Sequence, residues 1–219
     1  MLKFHLNKRT VLVAGLTVLL AWVAIDLYFP RRTDLREFDA EEVARLDTVM
    51  WRSYYDREPL KLFFQLAELL RSQFNLPFLR SYLVAFDAAK AAFVFKDGRN
   101  RTDYVKALPN LIDYYAAIRK VSVTPFDVAR EAELELEWWI VHRERAQHQP
   151  GDLELALANA AAELYQMPAV RLMEYARLRT AAMNVRDTRA ANGGVSSEDW
   201  TAIATLLRDS WGSLWREVR

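Results

Sequence analysis

Residues 10–29 read TVLVAGLTVLLAWVAIDLYF, an apolar run whose single carboxylate, Asp26, lies near its far end. A helix rises about 1.5 Å per residue and the hydrocarbon core of a bilayer takes roughly 20 residues to cross. The run is therefore just long enough to span when Asp26 sits at the interface, with Trp22 and Tyr28 as interfacial aromatics. The alternative is a secretory signal, because the basic start (Lys3, Lys8, Arg9) suits both. The exit decides for an uncleaved anchor: a cleavage site wants small residues, and here Leu27, Tyr28, Phe29 and Pro30 precede Arg31 and Arg32.

Residues 1–9 then form a basic tail whose three Lys/Arg favour the inner side of the membrane, while Arg31, Arg32 and Arg36 pull the other way. Translocating the basic tail is the harder route. The expectation is a single-pass membrane protein whose main domain lies outside the cytoplasm, on the periplasmic or extracellular side. Residues 30–38 read as a juxtamembrane linker and 39–219 as one folded domain.

Composition fits that division. Apolar residues make up 52% of the chain and charged residues 27%, which excludes a disordered tail as the bulk of it. Setting aside Lys3, Lys8 and Arg9 from the 30 basic residues, and Asp26 from the 29 acidic ones, leaves a nearly neutral domain. Nucleic-acid binding needs a basic excess or stripe, so that class of partner is not expected. Cysteine is absent, which removes disulfides, thiolate metal sites and a cysteine nucleophile.

Pro and Gly fall almost wholly between periodic segments, at Pro30, Pro59, Pro77, Gly98, Pro125, Pro150-Gly151, Pro168 and Gly193-Gly194, and the apolar period between them is helical. No alternating run bounded by hairpin turns occurs. The fold expected is all-α: one N-terminal transmembrane helix followed by a single bundle of about seven helices. Asp39, Thr102, Asp127 and Ser196 or Ser197 read as helix caps. Pro109 should bend or loosen the helix that Thr102 opens. The helix after Pro77 is apolar nearly all round, broken by Arg80, Asp87 and Lys90, with Ser81, Ala85, Ala88 and Ala92 as a small-residue stripe. Such a helix is expected at the centre of its bundle; lipid or a partner could face it instead, though its charges argue against a second span.

Winding each helix at about 100° per residue places a few charges among apolar neighbours: Asp47 on the first soluble helix, Glu131, Glu135 and His142 on the helix after Asp127, and Arg179 near the chain's end. Buried charge is costly unless paired, so Asp47, Glu135, His142 and Arg179 are expected to converge as a structural network, with Arg179 the counter-ion of Asp47 or Glu135. The competing use of Asp47, Glu135 and His142 is catalysis.

A di-metal carboxylate site needs paired Glu-x-x-His motifs, and these are absent, so Glu131 and Glu135, spaced i and i+4, are only weak metal candidates and no cofactor is expected. His142 and His148 lack the His-Glu-x-x-His spacing, and no nucleophile elbow, phosphate loop or dinucleotide fingerprint occurs. Tyr104, Tyr115 and their neighbours read as core. Trp200, Trp211 and Trp215 most simply pack inward, and are the candidates for lipid or partner contact.

The function expected is that of a membrane-anchored helical interaction protein, an accessory or assembly subunit of a larger membrane complex, with the lipid bilayer and other subunits as partners. The alternatives are a membrane-tethered enzyme with an acidic/His site, or a binder of a hydrophobic ligand or lipid.

Overall fold

The computed structural model describes residues 7–29 and 31–219; Lys3 in the basic tail and Pro30 as a break lie outside the described residues. The apolar run forms α1 (Lys8–Tyr28), capped by the Asn7 side chain. It is long and apolar enough to cross a membrane. The other long helices are α2 (Ala40–Tyr55), α3 (Pro59–Phe74), α4 (Phe78–Asp97), α6 (Leu108–Val121), α7 (Val128–Arg143), α8 (Asp152–Tyr165), α9 (Met173–Ala191) and α10 (Ser197–Val218), with a one-turn α5 (Arg101–Tyr104) before α6. Among the described residues there is no strand, and the fold is all-α.

Local chemistry sets most of the boundaries. Asp39 accepts from the N–H groups of Glu41 and Glu42, Asp127 from that of Arg130, and Ser196 and Asp199 form a reciprocal capping box. Thr102 does not cap: Asn100 does, accepting from Asp103. The chain from there does not run as one bent helix, because Pro109 has no N–H to give to the preceding turn. It breaks into α5, a 3₁₀ turn (Val105–Ala107) and α6, with Pro109 in the first turn of α6. Likewise α7 stops at Arg143 and yields to a 3₁₀ turn (Arg145–Gln147), short of His148.

Each long helix after α1 packs on the next in the chain, and α10 packs back on α2. Eight helices thus close a circuit around one core, as short connections between neighbours favour. Contacts between termini fix an alternating up-and-down order. At one end the Asp127 N–H donates to Glu163, joining the start of α7 to the end of α8, and Arg171 pairs with Glu217, joining the start of α9 to the end of α10. At the other end Arg143 donates to the carbonyls of Phe95 and Gly98, and Arg189 pairs with Asp199.

Residues 31–38 are not a slack linker. Leu35 and Phe38 are buried in the core, and Thr33 exchanges backbone hydrogen bonds with Val121 and Val123 at the end of α6. Arg36 donates to the Tyr165 carbonyl at 2.9 Å, and Asn75, in the left-handed conformation that ends α3, donates to the Glu37 carbonyl. Phe38 packs on both Tyr165 and Trp211. The segment crosses and plugs the end of the circuit from which α1 departs.

The small stripe of α4 is closed off over its first half: Ser81 and Ala85 are fully buried, Ala88 and Ala92 half-buried, with α3 and α6 packed on this helix. Its outer face differs. Phe78, Leu83, Phe86 and Phe93 are exposed, so α4 is a wall of the circuit with only one side inward.

Candidate functional site

The candidate charges sit at three places along the bundle. At the seam where α10 meets α2, Arg179 Nη1 donates to Asp47 Oδ2 at 2.6 Å and the Trp211 indole N–H donates to the same oxygen at 2.8 Å. Asp47 is 1% exposed, and the Arg179 guanidinium lies over the rings of Trp51 and Trp211. Burial alone would pull the Arg179 pKa down; the adjacent Asp47 carboxylate outweighs it and holds it above its ordinary value. A charge-assisted bond inside an aromatic cage is the arrangement that lets a buried ion persist.

Glu135 stands apart from that pair. Its carboxylate accepts from Tyr115 Oη at 3.0 Å, Trp138 Nε1 at 2.8 Å and Trp139 Nε1 at 2.9 Å, without an ion pair. Three neutral donors favour the charged form, yet burial dominates and raises the Glu135 pKa. One turn earlier, Glu131 is 1% exposed and its Oε2 has no hydrogen-bond partner. Burial, reinforced by the nearby Glu135 carboxylate, pushes the Glu131 carboxyl well above the usual range. Tyr165, fully buried, accepts from Gln73 at 3.2 Å.

The third cluster lies at the end away from α1. His142 Nε2 is 3.2 Å from Asp187 Oδ2, and Arg145 and Arg186 also donate to Asp187. Burial would raise the Asp187 carboxyl, but the bonds from His142, Arg186 and Arg145 hold it far below the usual range. Arg186 in turn stacks on Tyr55, so the cluster ties α7, α9 and α2.

The expected single network of Asp47, Glu135, His142 and Arg179 is therefore divided. Arg179 pairs with Asp47, whereas Glu135 and His142 have their own partners, because α7 carries them two turns apart, about 10 Å along its axis. As a catalytic set Asp47, Glu135 and His142 share no hydrogen-bond partner. Two open surface clefts, of about 390 and 300 Å³, lie elsewhere, beside Arg52, Asp56 and Glu58 and beside Glu174, Asp209 and Arg216. Among the described residues no three His, Cys, Asp or Glu side chains are grouped to hold a metal ion, Glu131 and Glu135 included. Trp200 and Trp211 are buried, which leaves little of either ring for lipid or a partner, whereas Trp215 is half-buried against the core.

A further arrangement, outside the reach of local sequence patterns, joins the apolar helix to the domain. Asp26, buried at 8% exposure, accepts from the backbone N–H groups of Leu79 at 3.2 Å and Arg80 at 3.0 Å, at the first turn of α4. Four N–H groups at a helix start lack intrahelical partners and carry the positive end of its dipole, so the carboxylate serves as a cap from another helix. Arg80 donates to the Leu27 carbonyl, satisfying the other end of the junction. Trp22 packs on Phe78 with ring centroids 6.4 Å apart. The sequence signal was present in the solitary Asp26 and in a helix, α4, that starts without a side-chain cap of its own.

No protein-family model, curated protein or solved structure matches this chain, so geometry alone bears on its function.

Proposed function

We propose that this chain is a membrane-anchored helical interaction protein, an accessory or assembly subunit of a larger membrane complex rather than an enzyme. The observation that carries the proposal is the junction of Asp26, Leu27 and Arg80, together with the plugged segment 31–38. An enzyme that needs only to be kept near a membrane is served by a loose tether. A domain held at a set height and angle serves docking to neighbours that are themselves fixed in the bilayer, since a pre-oriented surface loses less freedom on association. The junction also supports retention of α1, because cleavage after it would strip the cap from α4. With the basic tail kept inside, the domain lies outside the cytoplasm, and protease added to intact spheroplasts should digest it.

The test is extraction of the tagged full chain in mild detergent, beside an Asp26→Ala/Arg80→Met variant. The proposal expects wild type to migrate in a complex with other membrane proteins in fixed ratio, and the variant to stay in the membrane fraction while losing that complex. A solitary wild-type monomer would overturn it, and stoichiometric metal or a co-extracted lipid would then point to the enzyme or ligand-binding alternative.

A further inference from the structure

Helix α1 departs from one end of the circuit, and that end exposes apolar side chains beside it. Val123, in the loop after α6, is 55% exposed, Val170, between α8 and α9, is 78% exposed, and Phe78 at the start of α4 is 49% exposed. These three come from separate connections around the rim, so they do not form one helix face. Phe78 continues into an aromatic row: its ring is 5.2 Å from that of Tyr82, which is 6.0 Å from Phe64.

Cations flank the apolar groups. Arg31 and Arg32 are exposed and pair with no carboxylate among the described residues. Arg71 stacks over Phe78 and Tyr82 and donates to Ser81. Several acids at this end are engaged in structure: Asp34 accepts from the Arg36 N–H, Asp39 and Asp127 cap helices, Glu163 accepts from Asp127, and Glu217 pairs with Arg171, while the Glu37 and Glu41 carboxylates are exposed.

The anchor supplies a depth scale. Trp22 lies four residues before Asp26, the interfacial carboxylate of the span, or roughly 6 Å deeper at about 1.5 Å per residue. Phe78 touches Trp22. If α1 crosses a bilayer, Phe78 cannot be in bulk water.

From this we infer that the anchor-proximal end of the bundle is a lipid-binding surface: Phe78, Val123 and Val170 enter the headgroup and upper acyl zone while Arg31, Arg32 and Arg71 meet lipid phosphates. Exposed apolar groups ringed by basic residues are suited to that zone, where apolar burial and attraction to anionic lipid act together. The inference rests on α1 being a membrane anchor, as proposed above. It commits the end face to lipid and leaves the flanks of the bundle for protein partners.

Because the chain has no cysteine, single nitroxide labels can report depth without further changes. Val123→Cys and Val170→Cys test the end face, Val18→Cys reports the anchor, and Ala191→Cys, at the opposite end, is the aqueous control. The full chain is reconstituted in vesicles of phosphatidylcholine with or without phosphatidylglycerol, and collision with oxygen is compared with collision with a water-soluble nickel chelate. The inference expects Val18, Val123 and Val170 labels to favour oxygen severalfold over the Ala191 label, and the two rim labels to move deeper in anionic vesicles. A lipid-exposed Val18 label with water-exposed Val123 and Val170 labels would overturn the end-face surface and leave the anchor standing. A water-exposed Val18 label would overturn the anchor and this inference with it. Far-ultraviolet circular dichroism of each labelled chain, matched to wild type, keeps misfolding from imitating either result.

Discussion

Replacing Asp47 with Ala should be among the most damaging single changes in the domain. Asp47 is 1% exposed and the Arg179 side chain 11%, so the substitution strands a guanidinium between Trp51 and Trp211 with little water to replace its partner. It also removes the acceptor of the Trp211 indole N–H. Breaking a buried pair costs about 3–5 kcal/mol, a figure that already contains much of the orphaned-donor penalty. For a domain of this size each kcal/mol moves the melting temperature by about 2–4 °C, so the expected fall is roughly 6–20 °C. Arg179→Met should lose a similar amount, because an unpaired buried carboxylate remains. The double variant Asp47→Leu/Arg179→Met should regain most of the loss, because apolar groups of similar volume need no counter-charge, with about 1 kcal/mol still missing for the unpaired indole. Thermal unfolding of the four full-length proteins in one detergent, followed by circular dichroism, gives the complete cycle. Additive losses in the double variant, or single variants that melt like wild type, would refute the reasoning.

Other perturbations separate the remaining clusters. Glu131 and Glu135 have raised pKa values in the folded state, so the native protein keeps protons that the unfolded chain releases above about pH 4.3, and their contribution to stability falls as pH rises from there toward the folded values. Glu131→Gln, which cannot ionise, should stabilise by about 1–3 kcal/mol at pH 7 and change little at pH 4; melting curves at the two pH values check it, and an equal effect at both would contradict it. Asp187 has the opposite sign: its depressed folded pKa gives stability that is present above about pH 3.9 and lost as pH falls below that toward the folded value. Asp187→Asn should therefore cost about 1–2 kcal/mol at pH 7, with the gap to wild type narrowing at pH 3. Asp26→Ala removes an acceptor worth about 0.5–2 kcal/mol by analogy with N-cap residues, and should speed trypsin cleavage at Arg31 and Arg32 in detergent while the domain's melting temperature changes by only a few degrees. Unaltered cleavage would mean that the junction does not hold the segment.

How far these features could be read from sequence depended on their range. Helical period and punctuation gave the all-α class and most helix starts, because caps such as Asp127 and Ser196 act within one turn. The Asp47–Arg179 pair was legible as one of two options, because helical winding shows which charges face inward. Which partner each meets depends on helix order around the circuit, and winding carries no information about that. For the same reason Glu135 could not be assigned to Tyr115, nor His142 to Asp187. Asp187 and Arg186 lie in a polar-looking stretch of α9, and only tertiary packing half-buries them. Segment 31–38 looked like a linker because it has no period, although a plug needs only a few apolar anchors such as Leu35 and Phe38. The Asp26 junction joins residues more than fifty positions apart, beyond the reach of any local rule.

The claim on which the rest depends is that α1 stays with the domain and holds it in the membrane. Its most direct test is to wash membranes carrying the native chain with concentrated salt, which screens surface charge but leaves an apolar span inserted, and then to determine the N-terminus of the protein in each fraction. Retention in the membrane with residues 10–29 present is the predicted result, and release by salt, or a mature chain starting near Arg31, would contradict it.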